Sequence, residues 1–296
     1  MRPSLFPRTA RVRNDMANPE LSPPLCIFDR SMRSAEILDF QGGRCAVFTS
    51  RPPVPKPGGI DPASSPNEDS IAVIPGGEKG GVLAVADGVG GLPGGAHASS
   101  LALGQVAEAV AHAAGNGRPL RDAILDGIEG ANEELLRREV GATTLALAEI
   151  KGGVFRPYHV GDSVILLVGP DGDLRMRTVA HSPVGYALEA GALDEWDAMH
   201  HQSLHLIANV MGSDLMRVEI GYPVRLRPGE TIVIASDGVL DNLHSTEIAR
   251  CFAHRALEAA TQQLIAQCER RMRGADVDRP SKPDDFSFIA FQLLEG

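Results

Sequence analysis

Apolar and polar positions alternate along the chain in a way that predicts short strands first and paired helices next. Runs rich in Val, Ile and Leu, bounded by Gly and Pro, predict strands at 44–50, 70–75 and 80–88, and the last two form a hairpin. Apolar residues at helical spacing predict helices over 96–113 and 120–138. The first half of the chain is therefore expected to contain a sheet and two helices that cover it.

Strands dominate the second half of the chain. Similar apolar runs predict strands at 143–150, 154–161, 163–170, 174–180, 218–226, 231–236 and 286–294. Residues 246–273 predict one long amphipathic helix, whereas residues 182–215 follow no regular period. Strands that flank paired helices favour an α+β layered sandwich over alternating βαβ units.

The N-terminal segment differs in composition from the remainder. Residues 1–35 are rich in Pro, Ser and Arg and lack a sustained period, so we expect a flexible arm followed by a single catalytic domain over 36–296. The first fifteen residues are basic but contain no apolar core, which argues against a secretory signal; a transit peptide is the less favoured interpretation. No apolar run approaches the roughly 20 residues of a membrane span.

Composition narrows the classes of function. With 296 residues and 43% hydrophobic content, the chain has ample material for a core. The net charge of −10 and the lack of a basic patch argue against a nucleic-acid partner. The four cysteines form no CxxC pair, so a zinc ribbon or redox motif is not expected. We therefore expect reduced cysteines and a cytoplasmic protein. We also expect a monomer.

Acidic residues stand at the ends of four predicted strands. They are Glu68 and Asp69 before the strand at 70–75, Asp87 after its partner, Asp237 after 231–236, and Asp284 and Asp285 before 286–294. Burying several unpaired carboxylates together is too costly unless cations neutralise them. Mg²⁺ and Mn²⁺ prefer such oxygen ligands. One Asp-Gly after a strand is usually only a turn, so the prediction of a metal site depends on the joint arrangement.

These segments together resemble the metal-dependent protein phosphatases of the protein phosphatase 2C type. The matching segments, in family order between residues 67 and 293, are NEDS, VADGVGG, GATTLALA, HVGDSVILLV, RLRPGETIVIASDGVLDNL and KPDDFSFIAF. They are most similar to the subgroup with mitochondrial and bacterial members. The resemblance implies a four-layer α/β/β/α sandwich, in which helices flank two antiparallel sheets and a dinuclear metal site lies at one end.

The resemblance also assigns metal ligands. It implies that Asp87 bridges two Mn²⁺ or Mg²⁺ ions and that the Gly88 carbonyl binds one of them. Asp237 and Asp284 match ligands of the first ion, so Asp87 and Asp237 are the expected catalytic residues.

Five further acidic residues have other expected roles. Glu68 and Asp69 match the acidic pair near the centre, which acts partly through water on the metal. Asp162 matches a residue that in some members binds a weaker third ion, although a structural turn residue is an equally good interpretation. Asp241 and Asp285 are expected to support the site structurally.

The implied reaction is hydrolysis of phosphoserine and phosphothreonine in a phosphoprotein substrate. Two cations lower the pKa of a shared water, and the resulting hydroxide attacks phosphorus in line. The expected function is therefore a signalling protein phosphatase that acts by dephosphorylation. The alternatives are a narrow-specificity phosphatase of one signalling protein and a non-catalytic pseudophosphatase that acts as a binding module; the presence of all the metal aspartates argues against the latter.

Two departures from the family leave the substrate-binding and general-acid residues open. Ser64 stands where many members carry an arginine for the substrate phosphate, and Arg51 or Lys56 are candidate substitutes. Val89 stands where several members carry a histidine proton donor. The irregular segment 182–215 corresponds to the variable flap of the family, where we expect substrate selection.

Histidines near the motifs have a structural and a functional interpretation. His159 and His181 lie beside predicted strands, and a structural role is the favoured interpretation for both. His200 and His201 are adjacent in the irregular segment, where a metal role is the less favoured interpretation.

Overall fold

Two antiparallel sheets form the centre of the computed structural model, which describes residues 9–11, 23–56, 64–90 and 94–294. In chain order the strands are β1 (Thr9–Arg11), β2 (Leu25–Phe28), β3 (Glu36–Phe40), β4 (Gly43–Ser50), β5 (Asp69–Pro75), β6 (Gly81–Asp87), β7 (Leu145–Lys151), β8 (Val154–Val160), β9 (Val164–Val168), β10 (Leu174–Arg177), β11 (Glu219–Ile220), β12 (Val224–Arg225), β13 (Thr231–Ala235) and β14 (Phe286–Leu293). The helices are α1 (Gly95–Asn116), α2 (Leu120–Arg138), α3 (Pro183–Glu189), α4 (Glu195–Met199), α5 (Asp237–Leu240), α6 (Ser245–Phe252) and α7 (Leu257–Met272).

The strand order places hairpin partners side by side and brings distant segments together. The first sheet has the order β1-β2-β5-β6-β7-β8-β11, and β12 also pairs with β8. The second sheet has the order β10-β9-β13-β14-β4-β3. Every pairing between these strands is antiparallel.

Alternating side chains divide the core into three apolar layers. On β6, Leu83 and Val85 pack between the two sheets, whereas Val82, Ala84 and Ala86 pack against α1 and α2. This alternation follows from the two-residue period of a strand. On the opposite side, α6 and α7 cover the second sheet. The predicted four-layer α/β/β/α sandwich is therefore confirmed.

The N-terminal boundary requires a correction. Part of the segment assigned to a flexible arm over 1–35 is strand β2, which pairs with β5. Cys26 and Ile27 on this strand are fully buried. A strand of four residues is too short to show a period in the sequence, which is why the pattern missed it. Residues 1–8 and 12–22 of the proposed arm lie outside the described residues.

The long helix predicted over 246–273 is wrong in one respect, since it is two helices, α6 and α7. His254 lies between them with a φ of 50°, in the left-handed region. Its N–H donates to the carbonyl of Pro170 at 3.0 Å. This long-range contact interrupts a segment without Gly or Pro, so local sequence could not reveal the break. Similarly, the segment 182–215 contains the short helices α3 and α4.

The helices carry no sign of membrane insertion. Within the described ranges, none is long and apolar enough to cross a bilayer.

Candidate metal centre

Acidic side chains from both sheets meet around one cavity at an end of the sandwich. Asp69 begins β5 and Asp87 ends β6, and the two residues lie opposite each other in the antiparallel register. Asp237 follows β13 directly, and Asp284 stands two residues before β14. The cavity has a volume of about 190 Å³ and is lined by six carboxylates, those of Glu68, Asp87, Asp162, Asp237, Asp284 and Asp285.

Asp69 and Asp87 face each other at the ends of their strands, and Asp69 is the more deeply buried of the two. Asp69 is fully buried; its Oδ2 accepts a hydrogen bond from the Ser236 hydroxyl at 2.8 Å, while its Oδ1 has no partner within the described residues. Burial, followed by the charges of neighbouring aspartates, raises the pKa of both carboxyls well above the usual range. The pair would therefore be stabilised by a positive charge placed between them.

The main chain on either side of Asp87 is held closely. Thr143 donates from its hydroxyl and Thr144 from its N–H to the Asp87 carbonyl, each at 2.8 Å. The Gly88 N–H donates to the Glu68 carbonyl at 3.1 Å. A Cβ at Gly88 would lie 2.3 Å from the carbonyl carbon of Gly95, so only glycine fits. The tight packing explains the Asp-Gly sequence at this strand end.

Glu68 and Asp285 are linked across the cavity. The Glu68 N–H donates to Asp285 Oδ2 at 2.9 Å. Burial raises the pKa of Glu68 to about 7, with Lys56 opposing the shift and Asp285 adding to it. Burial likewise raises the pKa of Asp285 to about 6. Asp285 therefore contacts the main chain of Glu68, and its supporting role stays a prediction.

The side chains of Asp162, Asp237 and Asp241 form an acidic corner beside Lys282. Its ammonium forms ion pairs with Asp241 and, at 3.4 Å, with Asp237. Burial and the charge of Asp237 raise the pKa of Asp162 to about 7 and that of Asp241 to about 8. Asp162 Oδ1 is buried and has no hydrogen-bond partner among the residues that the structure describes.

The two candidate substitutes for the missing arginine occupy different places. Lys56 lines the cavity and forms an ion pair with Asp284. Burial alone would lower the pKa of Lys56, but Asp284 outweighs it and raises the value to about 12. Arg51 instead forms an ion pair with Asp29 and donates to the Ser65 carbonyl at 2.6 Å. Lys56 is therefore the substitute that faces the cavity.

One histidine lining the cavity was missed by the sequence analysis. His205 is exposed and lies on the cavity wall with Ile207, in the segment 182–215. No motif surrounds it, so only the folded chain reveals its position. His200 is held elsewhere, since its Nδ1 donates to the Trp196 carbonyl at 2.8 Å.

A separate cluster of His159, His181 and Glu219 has ligand atoms within 4.8 Å of one another. Hydrogen bonds assign its protons: Asn209, oriented by the main chain of Arg217, donates to His181 Nδ1 at 2.8 Å. The proton of His181 is thus on Nε2, which donates to Glu219 at 3.1 Å. Because both nitrogens are engaged, the structural interpretation of this cluster is favoured over a metal site.

Divalent cations fit the main cavity well. All the candidate side-chain donors are carboxylate oxygens, which Mg²⁺ and Mn²⁺ prefer. Two buried carboxylate oxygens lack partners in the described chain, Asp69 Oδ1 and Asp162 Oδ1. Six carboxylates line the cavity, yet only the ammonium groups of Lys56 and Lys282 contribute fixed positive charge to its walls. The site therefore has the charge and the donor atoms of a cation centre.

Similarity to a known family decides the identity of this fold. The family model described as protein phosphatase 2C matches residues 62–273. The chain belongs to the protein phosphatase 2C family. The resemblance inferred from the motifs is thereby confirmed, and the similar bacterial proteins fit the predicted subgroup.

Bacterial members of the protein phosphatase 2C family are similar to this chain. A putative protein phosphatase 2C-type protein of Streptococcus pyogenes is 28% identical over 155 residues, which cover 49% of this chain and 62% of the streptococcal protein. The serine/threonine phosphatase stp of Listeria innocua is 26% identical over 192 residues, or 62% of this chain and 75% of the Listeria protein.

Solved structures of the family share the fold. The Streptococcus agalactiae serine/threonine phosphatase has a TM-score of 0.67 at 23% identity, covering 84% of this chain and 99% of its own. The catalytic domain of the serine/threonine phosphatase PstP, solved with two manganese ions, has a TM-score of 0.64 at 20% identity, covering 86% and 99%. The Listeria relative and these two structural neighbours are serine/threonine phosphatases.

The structure brings the sequence-predicted site residues to one end of the sandwich. Those predicted residues are Glu68, Asp69, Asp87, Gly88, Asp162, Asp237 and Asp284. Their individual assignments as metal ligands stay predictions. Lys282 and His205 are additional cavity residues that sequence reasoning did not single out.

Proposed function

We propose that this protein hydrolyses phosphoserine and phosphothreonine in protein substrates, in a reaction that depends on Mn²⁺ or Mg²⁺. The observation that carries the proposal is the convergence of six carboxylates on one cavity of about 190 Å³ in a chain of the protein phosphatase 2C family. The burial of the free thiols supports the proposal further. All four cysteines are buried, so a cysteine nucleophile is not available to substrate.

The proposed ion-binding residues are Asp87, the Gly88 carbonyl, Asp237 and Asp284, with Glu68 and Asp69 beside them. The PstP catalytic domain holds two manganese ions, which supports a centre of two ions here. When bound, such ions lower the pKa of a water and offset charge on the phosphoryl oxygens.

Two side chains on the cavity wall are proposed to bind the substrate and to supply a proton. Lys56, on the cavity wall, is the proposed partner of the substrate phosphate, in place of the arginine that Ser64 replaces. His205, also on the wall, is the proposed proton donor to the leaving oxygen of serine or threonine. The Ser236 hydroxyl holds Asp69 in place.

The decisive assay is hydrolysis of p-nitrophenyl phosphate and of a phosphothreonine peptide with Mn²⁺, before and after EDTA. We expect activity that EDTA abolishes and that Asp87→Asn or Asp237→Asn lowers by at least a hundredfold. The matched control is Asp171→Asn. Asp171 is also followed by glycine, but it stands in the exposed turn between β9 and β10.

Two results would contradict the proposal. A folded protein without metal-dependent hydrolysis would favour the pseudophosphatase. If Asp237→Asn kept wild-type activity, the assignment of Asp237 as an ion-binding residue would be wrong.

The range of substrates is a second question, and the surface beside the cavity favours a narrow range. Tyr186 and Trp196 on α3 and α4 are exposed to 43% and 39%. Asp162 and Asp237 of the site line a smaller cavity beneath these helices. A panel of phosphopeptides would distinguish the two functions, since a broad phosphatase hydrolyses many of them at similar rates. We further propose that the enzyme acts as a cytoplasmic monomer in signalling.

A further inference from the structure

Lys282 is fixed in place more firmly than its position in a loop suggests. Its N–H donates to Asn242 Oδ1 at 3.0 Å, and its carbonyl accepts from Asn242 Nδ2 at 2.8 Å. Asn242 is fully buried and also donates to the Gly238 carbonyl at 2.9 Å. The Lys282 main chain is therefore attached to α5, the helix that begins with Asp237. This attachment directs the side chain toward the acidic corner.

The corner contains more negative charge than Lys282 can neutralise. Asp162, Asp237 and Asp241 line one small cavity of about 60 Å³. The Lys282 ammonium contacts Asp237 and Asp241 directly. Asp162 retains a buried oxygen without a partner in the described chain. Arg177 also lines this cavity, but it forms an ion pair with Glu195, so among the described residues the Lys282 ammonium is the positive charge left for the three aspartates. A cation of higher charge would suit the corner if the ammonium were removed.

Lys56, the other lysine on the cavity wall, differs from Lys282 in its contacts and its exposure. Its ammonium pairs with Asp284 alone, and its side chain is 42% exposed. Lys282 is 35% exposed and contacts two carboxylates at once. Because Lys282 is anchored through Asn242, it is the ammonium that stays beside Asp237 when the proposed ions bind.

We propose that Lys282 is a built-in cation of the Asp162–Asp237–Asp241 corner, which takes the place of an additional divalent ion. The inference rests on the proposed function, because it requires that Asp237 bind metal. It predicts that the chain binds two ions and that the weaker third ion implied by Asp162 is excluded.

The test is the number of Mn²⁺ ions bound, measured by calorimetric titration and by metal analysis after dialysis of the full chain. We expect two ions for wild type and for Lys282→Arg, which retains the charge. Lys282→Met should bind one additional ion, and its first ions should bind about tenfold more tightly because the repulsion from the ammonium is gone. The double variant Lys282→Met/Asp162→Asn should lose the additional ion.

Controls separate this inference from the proposed function. Lys151→Met, at an exposed lysine on β7, should bind two ions as wild type does. Equal numbers of ions in wild type and Lys282→Met, with both proteins folded by circular dichroism, would overturn the role of Lys282 alone. Three ions in wild type would do the same. A wild-type protein that binds no Mn²⁺ would overturn the proposed metal centre as well.

Discussion

At the scale of single residues, two cationic side chains close together in sequence perform different tasks. Arg51 connects Asp29 and the Ser65 carbonyl, which lie away from the cavity. Lys56 reaches Asp284 on the cavity wall. A charge that binds substrate affects KM, whereas a charge that connects loops affects stability.

Lys56→Met is therefore expected to raise KM for a phosphothreonine peptide about tenfold, with kcat changed less than about threefold. Arg51→Met should leave KM close to wild type and lower the free energy of unfolding by about 1–3 kcal/mol, because the contacts of Arg51 with Asp29 and with the Ser65 carbonyl are lost. Steady-state kinetics and urea unfolding measure the two effects. An unchanged KM in Lys56→Met would show that substrate phosphate binds elsewhere.

Gly238, next to Asp237, allows the site loops to approach closely. A Cβ there would lie 2.0 Å from the Asp285 carbonyl oxygen. We expect Gly238→Ala to lower the free energy of unfolding by about 2–4 kcal/mol, because the backbone at Asp285 has to move. Gly130→Ala is the matched control, since Gly130 lies within α2 with no atom near its missing Cβ. It should raise stability by about 0.5–1 kcal/mol. Equal effects would contradict the close approach.

At the scale of elements, apolar runs in the sequence predicted the strands whose ends hold the candidate site residues. Strand β6 ends in Asp87 and Gly88 after a buried apolar run, and a pattern of this kind is visible in sequence. Strand β2 is too short to show a period, and a contact to Pro170 separates α6 from α7. His205 and Lys282 meet the cavity through tertiary structure, so no spacing in the sequence could identify them.

The stacked pair of His159 and His181 connects β8 to the segment after β10. The ring centroids are 4.3 Å apart, and His159 Nε2 donates to the Val179 carbonyl at 2.9 Å. Burial lowers the pKa of His159; the hydrogen bond to Val179 opposes this shift, and the neighbouring His181 adds to it. The unfolded chain therefore binds more protons than the folded one at this position as pH falls through about 6.5.

Acidification is accordingly expected to remove stability through His159. Between pH 7.5 and 5.5, wild type should lose stability relative to His159→Gln, which can keep the hydrogen bond but cannot become charged. Urea unfolding of both proteins in EDTA measures this difference, since the carboxylates common to both proteins contribute equally. A difference that does not change with pH would show that His159 titrates as it does in the unfolded chain.

At the scale of the whole molecule, the candidate centre joins the two sheets. Asp69 and Asp87 belong to the first sheet, whereas Asp237 and Asp284 adjoin β13 and β14 of the second. The ammonium groups of Lys56 and Lys282 and hydrogen bonds such as Ser236 to Asp69 offset part of the repulsion between these groups in the metal-free protein. The carboxylates that are proposed to bind the ions should therefore destabilise the fold when no ion is bound.

Asp87→Asn is expected to make the metal-free protein more stable than wild type, by about 1 kcal/mol or more, while it removes the response to Mn²⁺. At a concentration of Mn²⁺ about a hundredfold above the Kd, wild type should gain about 2.7 kcal/mol for each ion bound. Thermal unfolding with EDTA and with Mn²⁺ measures both effects. A metal-free Asp87→Asn that is less stable than wild type would indicate that Asp87 is mainly structural.

The location of the acidic residues on both sheets has a consequence for the rates of folding and unfolding. A cation that contacts both sheets gains its full set of ligands only after the sheets have docked, late in folding. Interactions that are absent from the transition state slow unfolding and leave the folding rate almost unchanged. For each ion bound at about a hundredfold above its Kd, Mn²⁺ should thus slow unfolding about a hundredfold and barely affect refolding, as stopped-flow mixing would show. A bound ion would then extend the lifetime of the folded protein without helping to form it.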